Sequence, residues 1–244
     1  MGGKDKNSIP CHPLFISALA IFYEENILFI WLFKKYHLTL LSKLKLSTVM
    51  AKKNQLTTAD HLKYPEFERL VEALHKDKYY LWELYARLSF CTACRASDVL
   101  KFRWLDVLDL SETTVKEKKT QKARRISFNP SVKKKIHELW ELLGSPSTGD
   151  YIFKSRNTGE PITIQYVNAK LKGFKDKYEL DINHFSTHTF RKTFGRFVYD
   201  KMGHSAESLL LLNKILNHSN IQVTKTYIGI TQDEISDIFN AIEC

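Results

Sequence analysis

The sequence predicts a mostly helical α+β domain with a small antiparallel β-sheet over residues 50–244. Apolar residues recur with helical periodicity along most of this stretch, and two short β-type runs at 113–117 and 123–128 flank a polar turn. Hydrophobic residues make up 43% of the 244-residue chain, enough for one large core. The sequence contains no internal repeat, so we expect helices packed around a single small sheet.

The first part of this domain contains three predicted helices. One apolar face is indicated by the i, i+3, i+4, i+7 spacing of Phe67, Leu70, Val71 and Leu74. Residues 79–91 continue as a more apolar helix, and residues 96–105 are typical of a further short helix that carries Asp98. Arg95 therefore falls at the junction between two predicted helices.

A hairpin and two helices follow. The hairpin turn is Lys118-Lys119-Thr120-Gln121-Lys122. Asn129-Pro130 opens a helix that Gly144 ends, and residues 151–153 predict another short strand. The apolar face of the first helix is Val132, Ile136, Leu139 and Leu143. Residues 162–178 predict the second helix, with inward side chains Ile164, Val167, Leu171 and Phe174.

Four helices complete the prediction. Thr187 to Met202 form a helix that Gly203 ends, and its core-facing side chains are Phe190, Phe194, Phe197 and Val198. Residues 205–216 form an apolar helix, and residues 222–229 form a short one that bears Tyr227. The last predicted helix, 232–243, has an apolar stripe of Ile235, Ile238, Phe239 and Ile242.

Net charge and cysteine content limit the classes of partner and of site that the sequence supports. The formal net charge is +10 and the pI is about 9.3, which favours a polyanionic partner, nucleic acid before an anionic membrane surface. Many basic proteins bind nothing charged, so composition alone does not decide which partner the chain binds.

Cys91 and Cys94 form a C-x-x-C pair without a second ligand pair nearby. We expect buried thiols in a cytoplasmic protein rather than a zinc site or a redox pair.

The first 49 residues differ in character from the rest. Residues 14–33 are strongly apolar, but Glu24 and Glu25 lie in the middle of the run, where charge opposes a membrane span. The flanks also lack the pattern of a secretory signal. Residues from Met50 onward are typical of a soluble start, so we expect translation to begin there and residues 1–49 to be non-native.

Six side chains suit phosphodiester chemistry. In chain order they are Arg95, Lys119, His188, Arg191, His218 and Tyr227. Taken singly, each has an ordinary explanation: a solvated helix face, a helix cap or a packing tyrosine. Taken together, two guanidiniums match phosphate oxygens and a phenol supplies a nucleophile that cations and a base must activate. His188 and Arg191 are three residues apart, so we expect them on one ligand-accessible helix face.

Three stretches carry a family resemblance. They are Thr92-Ala-Cys-Arg-Ala-Ser-Asp-Val-Leu, His188-Thr-Phe-Arg-Lys-Thr-Phe, and Leu216-Asn-His-Ser-Asn-Ile-Gln-Val-Thr-Lys-Thr-Tyr227. The chain from about residue 55 to residue 244 thereby resembles the tyrosine recombinase (phage integrase) family. The family pattern is Arg, a hairpin Lys, His-x-x-Arg, His or Trp, and Tyr, in that order. The resemblance implies the tyrosine recombinase catalytic-domain fold and site-specific DNA recombination without metal, ATP or another cofactor.

The resemblance also implies a role for each position. Tyr227 is the nucleophile that forms a 3′-phosphotyrosyl bond, and Arg95 with Arg191 holds the non-bridging oxygens. His218 adds a hydrogen bond to the phosphate, and His188 accepts the tyrosine proton or orients the site. Lys119, in preference to Lys118 or Lys122, protonates the leaving 5′-oxygen. Asp98 matches an acidic residue that supports the site, although a surface helix charge is nearly as good an explanation.

DNA and further copies of the chain are the expected partners. A DNA-backbone contact is expected from Lys116, Lys118, Lys122, Arg124, Arg125 and Lys192. An ordinary solvated hairpin is the simpler explanation of this basic run. The resemblance suggests a tetramer on DNA that docks through helix 232–243, with packing inside one copy as the alternative. We expect neither a small-molecule substrate nor a membrane, and a location on the nucleoid.

The sequence departs from the family pattern at three points. Lys192 replaces a usual histidine and Asn217 a usual glycine. From Met50 to Arg95 the chain also leaves no room for the helical clamp domain that many members carry. Two alternatives therefore stay open: a non-catalytic DNA-binding remnant of a mobile element, and a type IB topoisomerase-like enzyme that relaxes DNA.

Overall fold

The computed structural model describes residues 59–108, 111–119 and 121–230. The predicted extension 1–49, the start at Met50 and helix 232–243 lie outside these residues. The elements, in chain order, are α1 (Tyr64–Lys76), α2 (Tyr80–Thr92), α3 (Ala96–Val99), a 3₁₀ turn (Trp104–Asp106), β1 (Glu112–Lys116), β2 (Ala123–Ser127), α4 (Pro130–Leu142), α5 (Ile164–Lys177), α6 (Thr189–Lys201), α7 (Ala206–Leu216) and α8 (Ile221–Ile228). The predicted mostly helical α+β class is confirmed.

Helices α1 and α2 form the first layer of the main core. The four apolar residues that predict α1 are all buried. Helix α2 is buried around most of its circumference, in line with its more continuous apolar sequence. It ends at Ala93, which has left-handed backbone angles (φ 48°), and the chain then turns so that Arg95 immediately precedes α3.

The predicted helix over 96–105 is wrong in extent. Residues Ala96–Val99 are helical, and a separate 3₁₀ turn covers Trp104–Asp106. Between them Phe102 and Arg103 are extended, because the Phe102 carbonyl accepts a hydrogen bond from Ile152 N and Arg103 bridges to Tyr151. The strand predicted at 151–153 is accordingly reduced to this isolated bridge.

The hairpin has the expected form. Strands β1 and β2 pair antiparallel, with Glu112 opposite Ser127 and Lys116 opposite Ala123. Two backbone hydrogen bonds close the turn, from Glu117 N to Lys122 O and from Gln121 N to Glu117 O. The turn residues are thereby fixed at their base, on the side where the hairpin meets α3.

Helices α4 and α5 cover the other side of the main core. The Asn129 side chain caps α4 by accepting from Val132 N, and Gly144 follows the helix with φ +88°. Thr163 caps α5 in the same way. The inward assignment of Ile164 is wrong: its side chain is 36% exposed, because the first residue of α5 lies beyond the edge of the core.

Helices α6, α7 and α8 form a second, smaller core. Its buried members are Ala93, Tyr199, Leu209, Leu212, Leu216, Tyr227 and Ile228. Helix α6 also reaches the main core through Phe190. This three-helix unit brings Tyr227 of α8 against the residues that follow α2.

Candidate active site

Arg191 lies at the centre of the predicted site. Its Nη1 donates to the Ala93 carbonyl at 2.5 Å, and its Nη2 donates to the Leu216 carbonyl at 2.6 Å. The first carbonyl lies two residues before Arg95 and the second two residues before His218. One guanidinium thus ties together the two segments that carry other predicted site residues. We expected the helix face that carries Arg191 to be accessible to a ligand, and this expectation is wrong. Arg191 is 2% exposed, because its donors point inward to the carbonyls of Ala93 and Leu216.

Tyr227 lies beside this guanidinium in the same chain. The Arg191 guanidinium carbon is 5.9 Å from the centre of the phenol ring, and the Lys192 Nζ is 5.3 Å from it. The His218 ring meets the phenol edge-on, with the ring centres 5.0 Å apart. The Tyr227 hydroxyl is buried beside the Arg191 guanidinium. Burial raises the pKa of this phenol, and the charges of Arg191 and Arg95 oppose that rise.

Both histidines are neutral at physiological pH. Burial, followed by the charges of Arg191 and other cations, lowers the pKa of His188 to about 4 and that of His218 to about 4. Arg95 and Lys119 contribute to both shifts.

A polar chain from α7 to α8 reaches His218. Asn213 Nδ2 donates to Thr224 Oγ1 at 3.1 Å, and Thr224 Oγ1 lies 3.0 Å from His218 Nδ1. In the tautomer that has its proton on Nε2, His218 Nδ1 accepts from the Thr224 hydroxyl. That tautomer has Nε2–H as a donor. Sequence reasoning missed Asn213 and Thr224, since a Thr or Asn on a helix carries no signal of this kind.

Arg95 has an acidic partner that the sequence analysis also missed. Its Nη1 lies 2.5 Å from Glu117 Oε2, and the same oxygen accepts from Asn217 Nδ2 at 2.8 Å. The Glu117 side chain is fully buried. A signal was present in the sequence, because Glu117 is the single acidic residue in the basic run from Lys116 to Arg125.

Asp98 connects α3 to the hairpin turn. Its Oδ1 accepts from Lys118 N at 3.0 Å, and the residue is 4% exposed. This contact holds the backbone next to Lys119, whose own side chain is exposed at the turn. The geometry therefore gives Asp98 a structural connection to the predicted general acid.

The predicted DNA-contacting residues divide into two groups. Lys116, Lys118, Lys122 and Arg125 are exposed along the hairpin, and Lys192 is half-buried beside Tyr227. Arg124 differs from our expectation, because its guanidinium points inward. It donates to the carbonyls of Thr92 and Ile215 and to Cys94 Sγ. Its donors are thereby directed at the same two segments that Arg191 joins.

The cysteines agree only in part with the expectation of buried thiols, because Cys94 is buried and Cys91 is half-buried. Cys91 and Cys94 are free, and burial raises the pKa of the Cys91 thiol to about 11 and also raises that of Cys94. Across residues 59–108, 111–119 and 121–230 no group of three potential metal ligands occurs. None of the described helices has the length and apolar character needed to cross a membrane.

The sequence is similar to a protein family and to a bacterial protein. Residues 61–234 match the Phage integrase family. The chain is 31% identical over 175 residues to the Bacillus subtilis (strain 168) protein named "Probable integrase/recombinase YoeC". That alignment covers 68% of this chain and 90% of the relative.

Solved structures of recombinases share the fold. XerH bound to a palindromic difH substrate, in a post-cleavage complex, aligns with a TM-score of 0.59 at 17% identity over 76% of this chain. XerA aligns with a TM-score of 0.59 at 19% identity over 77% of this chain. A lambda integrase dimer bound to a COC′ core site gives 0.55 at 19% identity over 75%. The chain spans 54%, 66% and 51% of these three chains, respectively.

The family match covers well over half of the chain, and it includes all six predicted site residues. The fold of the described residues agrees with it independently. The chain therefore belongs to the phage integrase family of site-specific recombinases, whose general activity is to break and rejoin DNA.

Proposed function

We propose that this chain breaks and rejoins DNA through Tyr227, with a 3′-phosphotyrosyl intermediate. The phenol oxygen attacks the phosphorus, and the bond from phosphorus to the 5′-oxygen breaks. The strand segment that begins with this oxygen leaves with a free 5′-hydroxyl. The observation that carries this proposal is the position of Tyr227 beside Arg191, which also ties the Arg95 and His218 segments together.

Charge stabilisation in this scheme comes from side chains. Arg95 and Arg191 offer fixed cations to the non-bridging oxygens, and His218 offers Nε2–H. Each P–O bond that breaks is replaced by another of similar energy. We therefore propose that the reaction requires neither metal ions nor ATP.

Proton transfers follow from the protonation states. His188 is neutral at pH 7, so one ring nitrogen has a free lone pair, and we propose that His188 accepts the phenol proton during attack or orients the site. Lys119 is proposed to give a proton to the leaving 5′-oxygen, and its effect on both histidines supports this choice among the hairpin lysines. Rejoining reverses both transfers.

The partners proposed for this reaction are duplex DNA and further copies of the chain. The exposed hairpin lysines and Arg125 would neutralise backbone phosphates outside the reacting one. Assembly as a tetramer through helix 232–243, and a location on the nucleoid, belong to the same proposal.

A covalent-trapping assay tests the chemistry. Duplexes drawn from a pool of candidate sites carry a nick close to the cleavage position. The short fragment that begins with the free 5′-hydroxyl then diffuses away, and the adduct accumulates. We expect a protein–DNA adduct on a denaturing gel, in EDTA and without ATP, that disappears in Tyr227→Phe. Adduct formation by Tyr227→Phe, or a strict need for metal, contradicts the proposal.

The same assay separates the two alternatives. A DNA-binding remnant shifts the duplexes in a native gel but gives no adduct with any of them. A topoisomerase-like enzyme gives the adduct and relaxes supercoiled plasmid, but does not exchange strands between paired sites. Exchange of paired sites by the wild-type protein supports the recombinase.

A further inference from the structure

A fully buried carboxylate lies inside the cationic site. Glu117 Oε2 accepts hydrogen bonds from Arg95 Nη1 at 2.5 Å and from Asn217 Nδ2 at 2.8 Å. The Glu117 side chain has no exposed surface. Burying a carboxylate is costly unless it is paired and hydrogen-bonded, and these two donors to Oε2 offset part of that cost.

The three residues belong to three different segments of the site. Glu117 follows β1 and lies two residues before Lys119, and its backbone is fixed by the hydrogen bonds that close the hairpin turn. Arg95 is the residue immediately before α3. Asn217 ends α7 with left-handed backbone angles (φ 51°) and immediately precedes His218. One carboxylate oxygen therefore joins the three segments that carry Lys119, Arg95 and His218.

We propose that Glu117 is a positioning residue for the recombination reaction. Its carboxylate sets the orientation of the Arg95 guanidinium and, through Asn217, fixes the turn that presents His218. A guanidinium has five N–H donors, so a bond through Nη1 leaves donors for the DNA phosphate. The inference rests on the function proposed above, and it adds a residue outside the six predicted catalytic positions.

The opposite role is inhibition, in which Glu117 occupies Arg95 until a phosphate displaces it. The geometry favours positioning, because two donors and the closed hairpin turn hold the carboxylate in place. The two roles predict opposite effects of removing the carboxylate: slower cleavage for a positioning residue, and faster cleavage or tighter DNA binding for an inhibitory one.

Three variants separate the contacts. Glu117→Ala removes both hydrogen bonds, and Glu117→Gln keeps an acceptor oxygen without the charge. Asn217→Gly removes the bond from Asn217 to Glu117 and keeps the one from Arg95. Glycine suits the last position, because it adopts positive φ without strain. Circular dichroism checks the fold of each variant. If Glu117→Ala fails to fold, Glu117→Gln and Asn217→Gly carry the test.

The rate of adduct formation is measured in a single turnover at saturating DNA, on the duplex that wild type cleaves best. We expect Glu117→Ala to slow it roughly a hundredfold, and Glu117→Gln and Asn217→Gly roughly tenfold or less, from the strength of charged hydrogen bonds. Because Glu117 does not touch DNA in this scheme, we expect the Kd for DNA to change by a smaller factor than the cleavage rate does. Variants as fast as wild type, or faster, overturn the inference.

A double-mutant cycle tests the connection through Asn217. If Asn217 acts through Glu117, Asn217→Gly has no further effect in the Glu117→Ala background. Independent effects of the two substitutions contradict the chain of contacts. Failure of the wild type itself to form an adduct with Tyr227 is a different result, which removes the proposed function and this inference with it.

An NMR measurement on the DNA-free protein tests the ion pair separately from activity. A guanidinium held through Nη1 rotates slowly about its Cζ–Nε bond, so Arg95 should show resolved Nη signals in wild type. We expect those signals to merge in Glu117→Ala. Merged signals in the wild type contradict the fixed orientation, whatever the cleavage rates are.

Discussion

Thr224 is the residue on which the hydrogen-bonding state of His218 depends. Its hydroxyl is fully buried between the Asn213 amide and the imidazole. It accepts from the amide, and it donates to Nδ1 when the imidazole has its proton on Nε2. A neutral imidazole has one N–H, and the neighbour of one nitrogen decides what the other does. The phosphate contact proposed for His218 therefore depends on a residue that does not itself approach the DNA.

Replacing Thr224 by Val should slow cleavage while leaving the fold intact. Valine has nearly the same shape but lacks the hydroxyl, so the hydrogen bond that favours the Nε2–H tautomer is lost and the Nδ1–H tautomer becomes more populated. We expect a roughly tenfold lower single-turnover rate, the effect of one lost hydrogen bond. Thr224→Ser keeps the hydroxyl and is the matched control. Nitrogen NMR of His218 reports the tautomer, and an unchanged tautomer in Thr224→Val contradicts this account.

Helices α6 and α8 make an unusually close contact at Gly195. A Cβ added there would lie 2.7 Å from Ile228 Cγ2 and 3.8 Å from Leu216 Cδ1. Ile228 is fully buried and adjacent to Tyr227, so the contact helps to fix the depth of the nucleophile-bearing helix. The absence of a side chain at residue 195 thus has a consequence for the position of the phenol.

We predict that Gly195→Ala destabilises the protein and slows cleavage. Overpacking costs about 1–3 kcal/mol, and the better helix propensity of alanine recovers at most about 1 kcal/mol of that. Chemical denaturation measures the free energy of unfolding, and adduct formation measures the rate. Gly173→Ala in α5 is the control, because a Cβ there meets no atom within 4 Å. That variant should be as stable as wild type or slightly more stable, and equal losses in both would contradict the packing argument.

At the scale of the described structure as a whole, positive charge is concentrated around the two histidines of the candidate site. Arg95, Arg191, Lys119 and Lys192 all contribute to the low pKa of His188, and both histidines stay neutral where histidines usually begin to titrate. Glu117 adds a negative charge against Arg95, which reduces the repulsion among these cations. A DNA phosphate would do the same for the rest of the cluster.

The two histidines predict a pH dependence of stability. Their pKa is about 4 in the folded protein and near 6.5 in the unfolded chain, so between these values the unfolded chain binds more protons. The contribution of the two histidines to the free energy of unfolding is therefore complete above pH 6.5. It is lost progressively as the pH falls towards 4, because protonation favours the unfolded chain. With allowance for solvent screening, we expect less than about 1 kcal/mol per histidine per pH unit.

Denaturant unfolding of the DNA-free protein between pH 7.5 and 4.5 measures this dependence. The double variant His188→Asn/His218→Asn should show a shallower decrease than wild type over the same range. The carboxylates titrate in both proteins and cancel in the comparison. Identical slopes for the two proteins contradict the assignment.

The sequence by itself determined the class of the fold and the six residues of the candidate site. The fold class follows from local information, because helical and strand periodicities report which faces are buried. The six residues follow from the resemblance of three sequence stretches to the family pattern. Local patterns also marked the ends of helices, as at Asn129 and Gly144. These local patterns failed where a distant segment decided the structure. Phe102 and Arg103 are not helical, because they pair with residues 151–152.

Only the tertiary structure decided how the site is held together. The inward direction of Arg124, the burial of Arg191 and the joining role of Glu117 all depend on carbonyls or side chains from segments far apart in the chain. A cation or a carboxylate in a sequence has the same appearance whether it faces water or a backbone carbonyl. Its role is set by which donors and acceptors the fold places within hydrogen-bonding distance, and that placement is a property of the packed chain.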